Sequence, residues 1–340
     1  MTVLQSYDLN GRKLSFANWI SNLSPVETPF CSMTGKESVN QTIFQWQTDV
    51  LTKAGANIAR EGTAAEDVQL KPTVLYSNVT QILRKVVKVS DTANALVNYG
   101  RGREVQYQME KAGKEIKRDL EWTFLNHKAA VVGTSAANGR STAGITALVA
   151  AKDAKDDDTG AVVHKNTTTV DVLTEDDLFD LTYNLYVAGS RANIIMFHPK
   201  HARFFSSLQE KTGTGNRQRI FQNVPEFSVE VTSVVDPLGQ DYKLIPNRIM
   251  PENKIYFFNP TDWTQMVLRA PQRTKLAKDG SYEKWMLEME VGLRHRNPYA
   301  SGILLLKDDA VQEVIRDTWK DELEWTGLKL WNDPNQTRGL

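Results

Sequence analysis

Two strand-like patterns near the N-terminus are separated by a segment that offers little to bury. Residues 41–50 alternate with the period of two that a strand requires, and residues 72–89 are rich in Val, Ile, Leu and Thr. The connection between them, residues 52–71, is rich in Ala, Gly, Glu and Lys. A connection of that length without its own secondary structure is uncommon in a compact domain, and it is usually disordered or functional. We therefore predict a long projecting hairpin arm that contacts another molecule.

A long helical pattern follows the arm. Ser90 or Asp91 is placed to cap a helix that continues to about Val131. Its apolar residues recur at spacings of three and four and form one stripe, which consists of Val105, Met109, Ala112, Ile116, Leu120 and Phe124. At 1.5 Å per residue, thirty residues span roughly 45 Å, long enough for the backbone of a plate-like subunit.

Charged residues of both signs share this predicted helix. The basic residues are Lys111, Lys114, Lys117 and Arg118, and the acidic ones are Glu104, Glu110, Glu115, Asp119 and Glu121. Because opposite charges three or four positions apart stabilise a helix surface, we interpret them as one solvated face.

Helix and strand patterns are mixed in the rest of the chain. A helix is expected to begin at Thr174, to bury Leu178, Leu181 and Leu185, and to end at Gly189. A second, short helix is expected from Pro199. The strand patterns are Asn193–Phe197, residues 227–233, Lys254–Asn259, Thr264–Arg269 and Tyr282–Asn297. This mixture predicts an α+β fold.

Charge and cysteine content restrict the classes of function. The 41 basic and 41 acidic residues cancel, which argues against a protein whose main task is to wrap nucleic acid. Cys31 is the single cysteine, so no intrachain disulfide can form, and a reducing cytoplasm is the expected place of synthesis. No apolar run approaches the ~18 residues of a membrane span, and the N-terminal residues lack a signal-peptide pattern.

Three patterns were weighed as chemical sites. His198 and His201 have Pro199 between them, and no third ligand with zinc spacing follows. Residues 211–217 lack the Gly-Lys-Ser/Thr ending of a phosphate-binding loop, and the aspartates in residues 153–158 lack the glycine and final glutamate of a calcium loop. We therefore expect no catalytic, cofactor or metal residue. A metal-dependent hydrolase that uses His198 and His201 stays as an alternative.

Two segments carry a family resemblance. The first is Thr28-Pro29-Phe30 with Gly35 five residues later, followed by the projecting loop and the long helix. The second is Pro246–Trp263, in which an Arg followed by Met-Pro leads into a strand and a tryptophan. In this order the chain, over roughly residues 20 to 310, resembles the major capsid proteins of tailed bacteriophages, whose fold is named after phage Hong Kong 97.

The resemblance implies a Hong Kong 97-like fold with an N-terminal arm, an extended hairpin loop, a long spine helix, and peripheral and axial domains. The implied division is an arm at 1–40, the extended loop hairpin at 41–89, a peripheral domain with the spine at 90–134 and 246–310, an axial domain at 135–245, and a C-terminal extension at 311–340.

It also implies a function and partners. Pentamers and hexamers of the chain would self-assemble, in the host cytoplasm, into the icosahedral head of a tailed phage and enclose double-stranded DNA without sequence-specific binding. The implied partners are a scaffolding protein, a portal protein and, optionally, a decoration protein. An encapsulin shell, which has the same fold and holds cargo enzymes, is the alternative.

The assembly contacts expected from the resemblance lie in three places. Pro29 and Phe30 belong to the N-terminal arm; Trp46, Lys53, Arg60 and Glu61 belong to the extended loop; and Trp331 belongs to the C-terminal extension. In the phage that names the fold, a loop lysine bonds to an asparagine of a neighbouring subunit, and Lys53 stands in the corresponding loop. Its hydrophilic surroundings would not lower the pKa of its amine, so we expect no such crosslink here.

Overall fold

A computed structural model describes residues 27–49, 51, 56, 58–62, 64, 73–96, 102–127, 129–133, 139–149, 154–155, 162–164, 166–210 and 233–307. These residues form two compact units. Of the described residues, one unit contains those within 82–120 and 269–290, and the other contains those within 28–81, 121–268 and 291–307. The predicted sites at 211–217, most of 153–158, and the strand pattern at 227–232 lie outside the described residues, as does Trp331.

The helices of the described chain are α1 (Pro29–Met33), α2 (Asp91–Ala95), α3 (Glu104–Asn126), α4 (Ile145–Leu148), α5 (Glu175–Val187) and α6 (Ala202–Glu210). Short 3₁₀ helices cover Pro199–His201 and Pro260–Asp262. Ser90 caps α2 through its side chain, which accepts a hydrogen bond from the Ala93 amide.

The spine helix is α3, and its 23 residues span about 35 Å, less than expected. Five of its six stripe residues, Met109, Ala112, Ile116, Leu120 and Phe124, are buried as predicted. The helix ends at Asn126, and Gly144 packs closely against the carbonyls at this end. A Cβ on Gly144 would lie 2.5 Å from the His127 carbonyl oxygen, so only glycine allows that approach.

The strands are β1 (Gly35–Ser38), β2 (Ile43–Thr48), β3 (Val74–Val79), β4 (Gln81–Ser90), β5 (Ala154–Lys155), β6 (Val162–His164), β7 (Thr167–Val170), β8 (Ile194–Phe197), β9 (Ser233–Val235), β10 (Asp241–Pro246), β11 (Lys254–Phe258), β12 (Trp263–Lys275), β13 (Tyr282–His295) and β14 (Gly302–Leu306). The run at 72–89, expected to be one strand, is two. They separate at the buried Thr80, because β3 pairs with β2 while β4 joins another sheet.

Two larger sheets organise the strands. One has six strands in the order β7-β14-β11-β8-β10-β9, and the other has four in the order β1-β12-β13-β4. The pairs β2-β3 and β5-β6 form separate two-stranded ribbons. The six-stranded sheet contributes most of an apolar core that also contains Leu178, Leu181 and Leu185 of α5.

The α5 region folds as its sequence predicts. Thr174 and Asp177 form a reciprocal capping box, and Gly189 adopts the left-handed φ of +78° that ends the helix. The following strand β8 is buried at every residue.

One sheet joins strands from the expected axial and peripheral ranges. Strands β11 and β14 lie within residues 246–310, which were assigned to the peripheral domain, yet they pair with β8 and β7 from the expected axial range. All four strands are nearly continuous apolar or Thr-rich segments, and such segments do not reveal their partners. The domain boundaries stay a prediction.

Candidate assembly surfaces

The β2–β3 ribbon is the root of the projecting arm, and tight packing holds it. The Phe44 ring fills the space beside Gly292, where a Cβ would lie 2.5 Å from the ring. The Asn78 amide nitrogen donates to the Leu293 carbonyl at 2.6 Å, and its oxygen accepts from the Ala143 amide at 2.9 Å. These contacts therefore hold the base of the ribbon in a fixed position on its own unit.

The projecting arm also has exposed residues, both on the ribbon and beyond it. Trp46 is stacked between Phe44 and Tyr76, with ring centroids about 6 Å from each. Ile43, Val74 and Leu75 on the ribbon, and Leu51 and Ile58 beyond it, are exposed apolar side chains. Arg60 and Glu61, expected to be contacts, are also exposed. Lys53 lies outside the described residues.

The predicted contact at Phe30 is wrong for its side chain, because the ring lies inside the core of its own unit. It is 0% exposed and packs edge-on against Phe124, Phe258 and Trp263. Pro29 begins α1 and is half-buried. Phe30 was predicted to contact a neighbouring subunit, but its side chain instead anchors the N-terminal arm in the core of its own unit.

A buried carboxylate fixes that anchor. Glu121 accepts hydrogen bonds from the Phe30 amide at 2.9 Å, the Cys31 amide at 2.7 Å and the Asn247 side chain at 2.8 Å. The interpretation of Glu121 as part of a solvated face is therefore wrong, since its side chain is fully buried. Burial and the Glu121 charge raise the pKa of the Cys31 thiol, so the thiol stays protonated.

The two candidate metal-binding histidines have other partners. The His201 Nε2 atom lies 2.6 Å from the Glu252 carbonyl oxygen and must donate to it, while the His198 Nδ1 atom accepts from the Lys200 amide. Burial lowers the pKa of both rings. Within the described ranges, no group of three or more His, Cys, Asp and Glu side chains is arranged to hold a metal ion. The geometry therefore does not favour the hydrolase alternative.

An ion-paired ladder on the four-stranded sheet was missed by sequence reasoning. The Arg269 guanidinium reaches Glu288 at 2.6 Å and Glu290 at 2.9 Å, and Arg84 reaches Glu288 at 2.7 Å. Both carboxylates are largely buried. The hydrogen bond from Arg84 and the charge of Arg269 hold the pKa of Glu288 below its usual value. The i,i+2 spacing of the two glutamates on one strand was the available signal.

A buried histidine cluster was also missed. His295 is stacked on Trp263 with centroids 4.0 Å apart. Its Nδ1 atom donates to the Leu148 carbonyl, and its Nε2 atom accepts from the Ser301 hydroxyl, which in turn accepts from the Trp263 indole N–H. Burial lowers the pKa of His295 to about 3, so the ring is neutral. The cluster therefore stabilises the packing of the core.

None of the described helices has a stretch long and apolar enough to cross a membrane.

Known proteins similar to this chain are shell proteins. A "Major capsid protein" of Escherichia phage Phieco32 is 56% identical, over 89% of this chain and 96% of that protein.

Solved structures show the same fold at low sequence identity. The cyanophage A-1(L) capsid matches with a TM-score of 0.62 at 13% identity, over 90% of this chain and 98% of that one. The SrpI encapsulin of Synechococcus elongatus matches with a TM-score of 0.52 at 14% identity, over 84% of this chain and 92% of that one. The fold is therefore the Hong Kong 97 capsid fold.

The model of one protein family, described as SU10 major capsid protein, matches residues 2–308. With most of its length matched, and with the described fold agreeing, this chain belongs to the SU10 major capsid protein family.

Proposed function

We propose that this capsid protein closes, as pentamers and hexamers, into the icosahedral head of a tailed phage around double-stranded DNA, and that it acts as a structural subunit and not as an enzyme. The identity to a phage major capsid protein is the observation that carries this function. Flat subunits that associate head-to-tail form rings that close, and many modest contacts act together around a shell.

The arm supplies one of those contacts. Its root is locked by Phe44 and Asn78, while Ile43, Val74 and Leu75 remain exposed. A monomer gains nothing from exposing these apolar residues on a two-stranded ribbon. An adjacent subunit that lies under the arm would bury them, and Arg60 and Glu61 would add polar contacts at its edge.

Replacing residues 52–71 with a short Gly-Ser link tests this role. Because the segment lies beyond the packed root, the variant should stay folded with an unchanged melting temperature. Electron microscopy should show closed shells from the wild type and none from the variant. Normal shells from the variant would exclude the arm as an assembly element.

The contents of the particles separate the phage head from the encapsulin alternative. The encapsulin likeness is in fold alone, at 14% identity. Wild-type particles isolated from infected cells should contain double-stranded DNA, and their ratio of absorbance at 260 and 280 nm would report it. Particles that instead hold a protein cargo and no nucleic acid would favour the encapsulin function.

Further partners follow from the capsid role. We propose a separate scaffolding protein to direct assembly, a portal protein at one vertex, and a decoration protein as an optional addition. Expression of the chain with and without a co-expressed scaffolding protein tests the first. Regular shells of one size should require it, and regular shells from the chain alone would contradict that requirement.

A further inference from the structure

Helix α5 has two apolar faces, and among the described residues only one of them is buried in the core. Leu178, Leu181 and Leu185 point into the core. On the outer face, Phe179, Tyr183, Tyr186 and Val187 are 37%, 50%, 52% and 51% exposed. Three aromatic rings within eight residues form a continuous stripe, and aromatic side chains are enriched at protein interfaces.

Acidic residues restrict what this outer face is able to bind. Asp176 and Asp180 are exposed beside the aromatic stripe, and neither has a cationic partner among the described residues. If α5 packed antiparallel on α5 of another copy, these carboxylates would lie near the partly negative C-terminal end of the other helix. The face therefore favours a different, non-acidic surface as its partner.

A surface with suitable features lies at the other edge of the same sheet. Helix α5 contacts β7 and β14 at one edge, and the β9–β10 hairpin forms the opposite edge of the described sheet. There Val235 is 59% exposed and Leu238 is 37% exposed. Lys243 is exposed on β10 and has no carboxylate partner within the described chain, although Asp241 lies two residues away on the same face.

The hairpin holds these residues in a defined position. The Gly239 amide donates to the Asp236 carbonyl at 2.8 Å, and the Asp236 amide donates to the Gln240 carbonyl at 2.9 Å. Gly239 has the φ of +81° that this turn requires. Leu238 therefore sits at the tip of an ordered turn.

We propose that the outer face of α5 in one subunit packs on the β9–β10 hairpin of the next subunit in the same ring. The proposal rests on the proposed capsid function. A head-to-tail ring requires two different patches on each subunit. Each subunit then presents one patch to the subunit before it and the other patch to the subunit after it. The apolar residues of the two patches meet, and Lys243 approaches Asp176 and Asp180.

Removal of the aromatic rings is the first test. In Tyr183→Ala/Tyr186→Ala the monomer should keep its melting temperature, because both side chains are half exposed and Ala favours helix. The yield of closed shells should fall by about tenfold or more, since aromatic anchors dominate interfaces and the contact recurs around the shell. The control Tyr183→Phe/Tyr186→Phe keeps the rings and should assemble.

Engineered cysteines are the second test, and the native thiol gives little background because Cys31 is the single cysteine and its raised pKa keeps it protonated. Particles of Tyr183→Cys/Leu238→Cys should give, under oxidation, a ladder of disulfide-linked chains that a reductant collapses. Either single variant should stay monomeric on the denaturing gel. Dimers from Tyr183→Cys alone would show that α5 meets α5 and would overturn the proposal.

The outcomes separate this proposal from the capsid function itself. If the wild type forms no shells even in infected cells, where every assembly partner is present, the capsid function fails. If the wild type forms shells and Tyr183→Ala/Tyr186→Ala forms them equally well, only the α5 contact is overturned. Normal shells of this variant that have lost a decoration protein would also overturn it, by assigning the face to that protein.

Discussion

In the six-stranded sheet, β8, β11 and β14 are buried along almost their whole length, whereas in the four-stranded sheet β4 alternates buried and exposed residues. The outer half of β12 is exposed as well. Phe257 is 0% exposed in the first sheet. In the second, Ile82 and Val86 face outward beside Arg84.

The two sheets therefore depend on different interactions. Apolar packing of strands from distant parts of the chain holds the six-stranded sheet, and its stability should respond to lost volume. Cross-strand ion pairs between Arg84, Arg269, Glu288 and Glu290 hold one face of the four-stranded sheet, and its stability should respond to charge and pH. In a shell subunit, the second arrangement leaves a face that another chain is able to cover.

The largest expected effect tests the apolar sheet. Phe257→Ala should lower the free energy of unfolding by about 3–5 kcal/mol, because it opens a cavity where no solvent reaches. Urea unfolding of the unassembled chain measures the change. Phe257→Leu, which keeps most of the volume, should cost less than about 1.5 kcal/mol. A small effect of Phe257→Ala would mean that this sheet does not depend on close packing.

The buried His295, at the end of β13 in the four-stranded sheet, gives the stability of the chain a pH dependence of its own. The pKa of His295 is lowered from 6.5 to about 3 by burial, so below pH 6.5 the unfolded chain takes up a proton that the folded chain refuses. Stability should fall as pH drops from 6.5 toward 3, by up to about 1.4 kcal/mol per pH unit. His295→Gln should be less stable at pH 7 but should lack this slope. If the wild type and His295→Gln lost stability with equal slopes between pH 6.5 and 5, His295 would not be the group responsible.

Loss of a ladder cation is expected to have a smaller effect. Arg269→Met should cost about 1–3 kcal/mol, because two largely buried carboxylates lose the guanidinium that joins them. Arg84→Met should cost less, since Arg269 still contacts Glu288. The melting temperature at low and high salt would compare the two variants.

The pH range of the effect, and not its sign, distinguishes this ladder from His295. The pKa of Glu288 is lowered from 4.5, so the stability from its ion pairs is present above pH 4.5 and is lost as pH falls through the lower, folded value. Glu288→Gln should remove that acid-side loss and leave the slope between pH 6.5 and 5 unchanged. If Glu288→Gln changed the slope of stability between pH 6.5 and 5, the two pH effects would not be independent.

Local sequence signals predicted local structure well. Thr174 and Gly189 marked the start and end of α5, and the spacing of Met109, Ala112, Ile116 and Leu120 predicted the buried face of the spine. These signals succeed because capping, left-handed glycine and helical periodicity act within a few residues.

Non-local pairing was harder to predict. The sequence contained no sign that Glu121 binds the amides of Phe30 and Cys31, about 90 positions away, or that β11 pairs with β8. The exposure of the outer aromatics of α5 was equally hard to predict, since these side chains resemble core residues in sequence. Phe30 was misassigned for the same reason, because an apolar side chain does not show whether its own chain or a neighbour covers it.

The smallest change in stability is expected for an exposed valine of β4, in contrast to a buried valine of the same strand. Val86 is 48% exposed and Val89 is 7% exposed, and they lie on opposite faces of β4. Val86→Thr should change the free energy of unfolding by less than about 0.5 kcal/mol, because the added hydroxyl stays in water. Val89→Thr buries that hydroxyl and should cost about 1–3 kcal/mol. Urea unfolding of the two variants compares them directly, and a Val86→Thr loss as large as that of Val89→Thr would show that the outer face of the four-stranded sheet is already covered within the monomer.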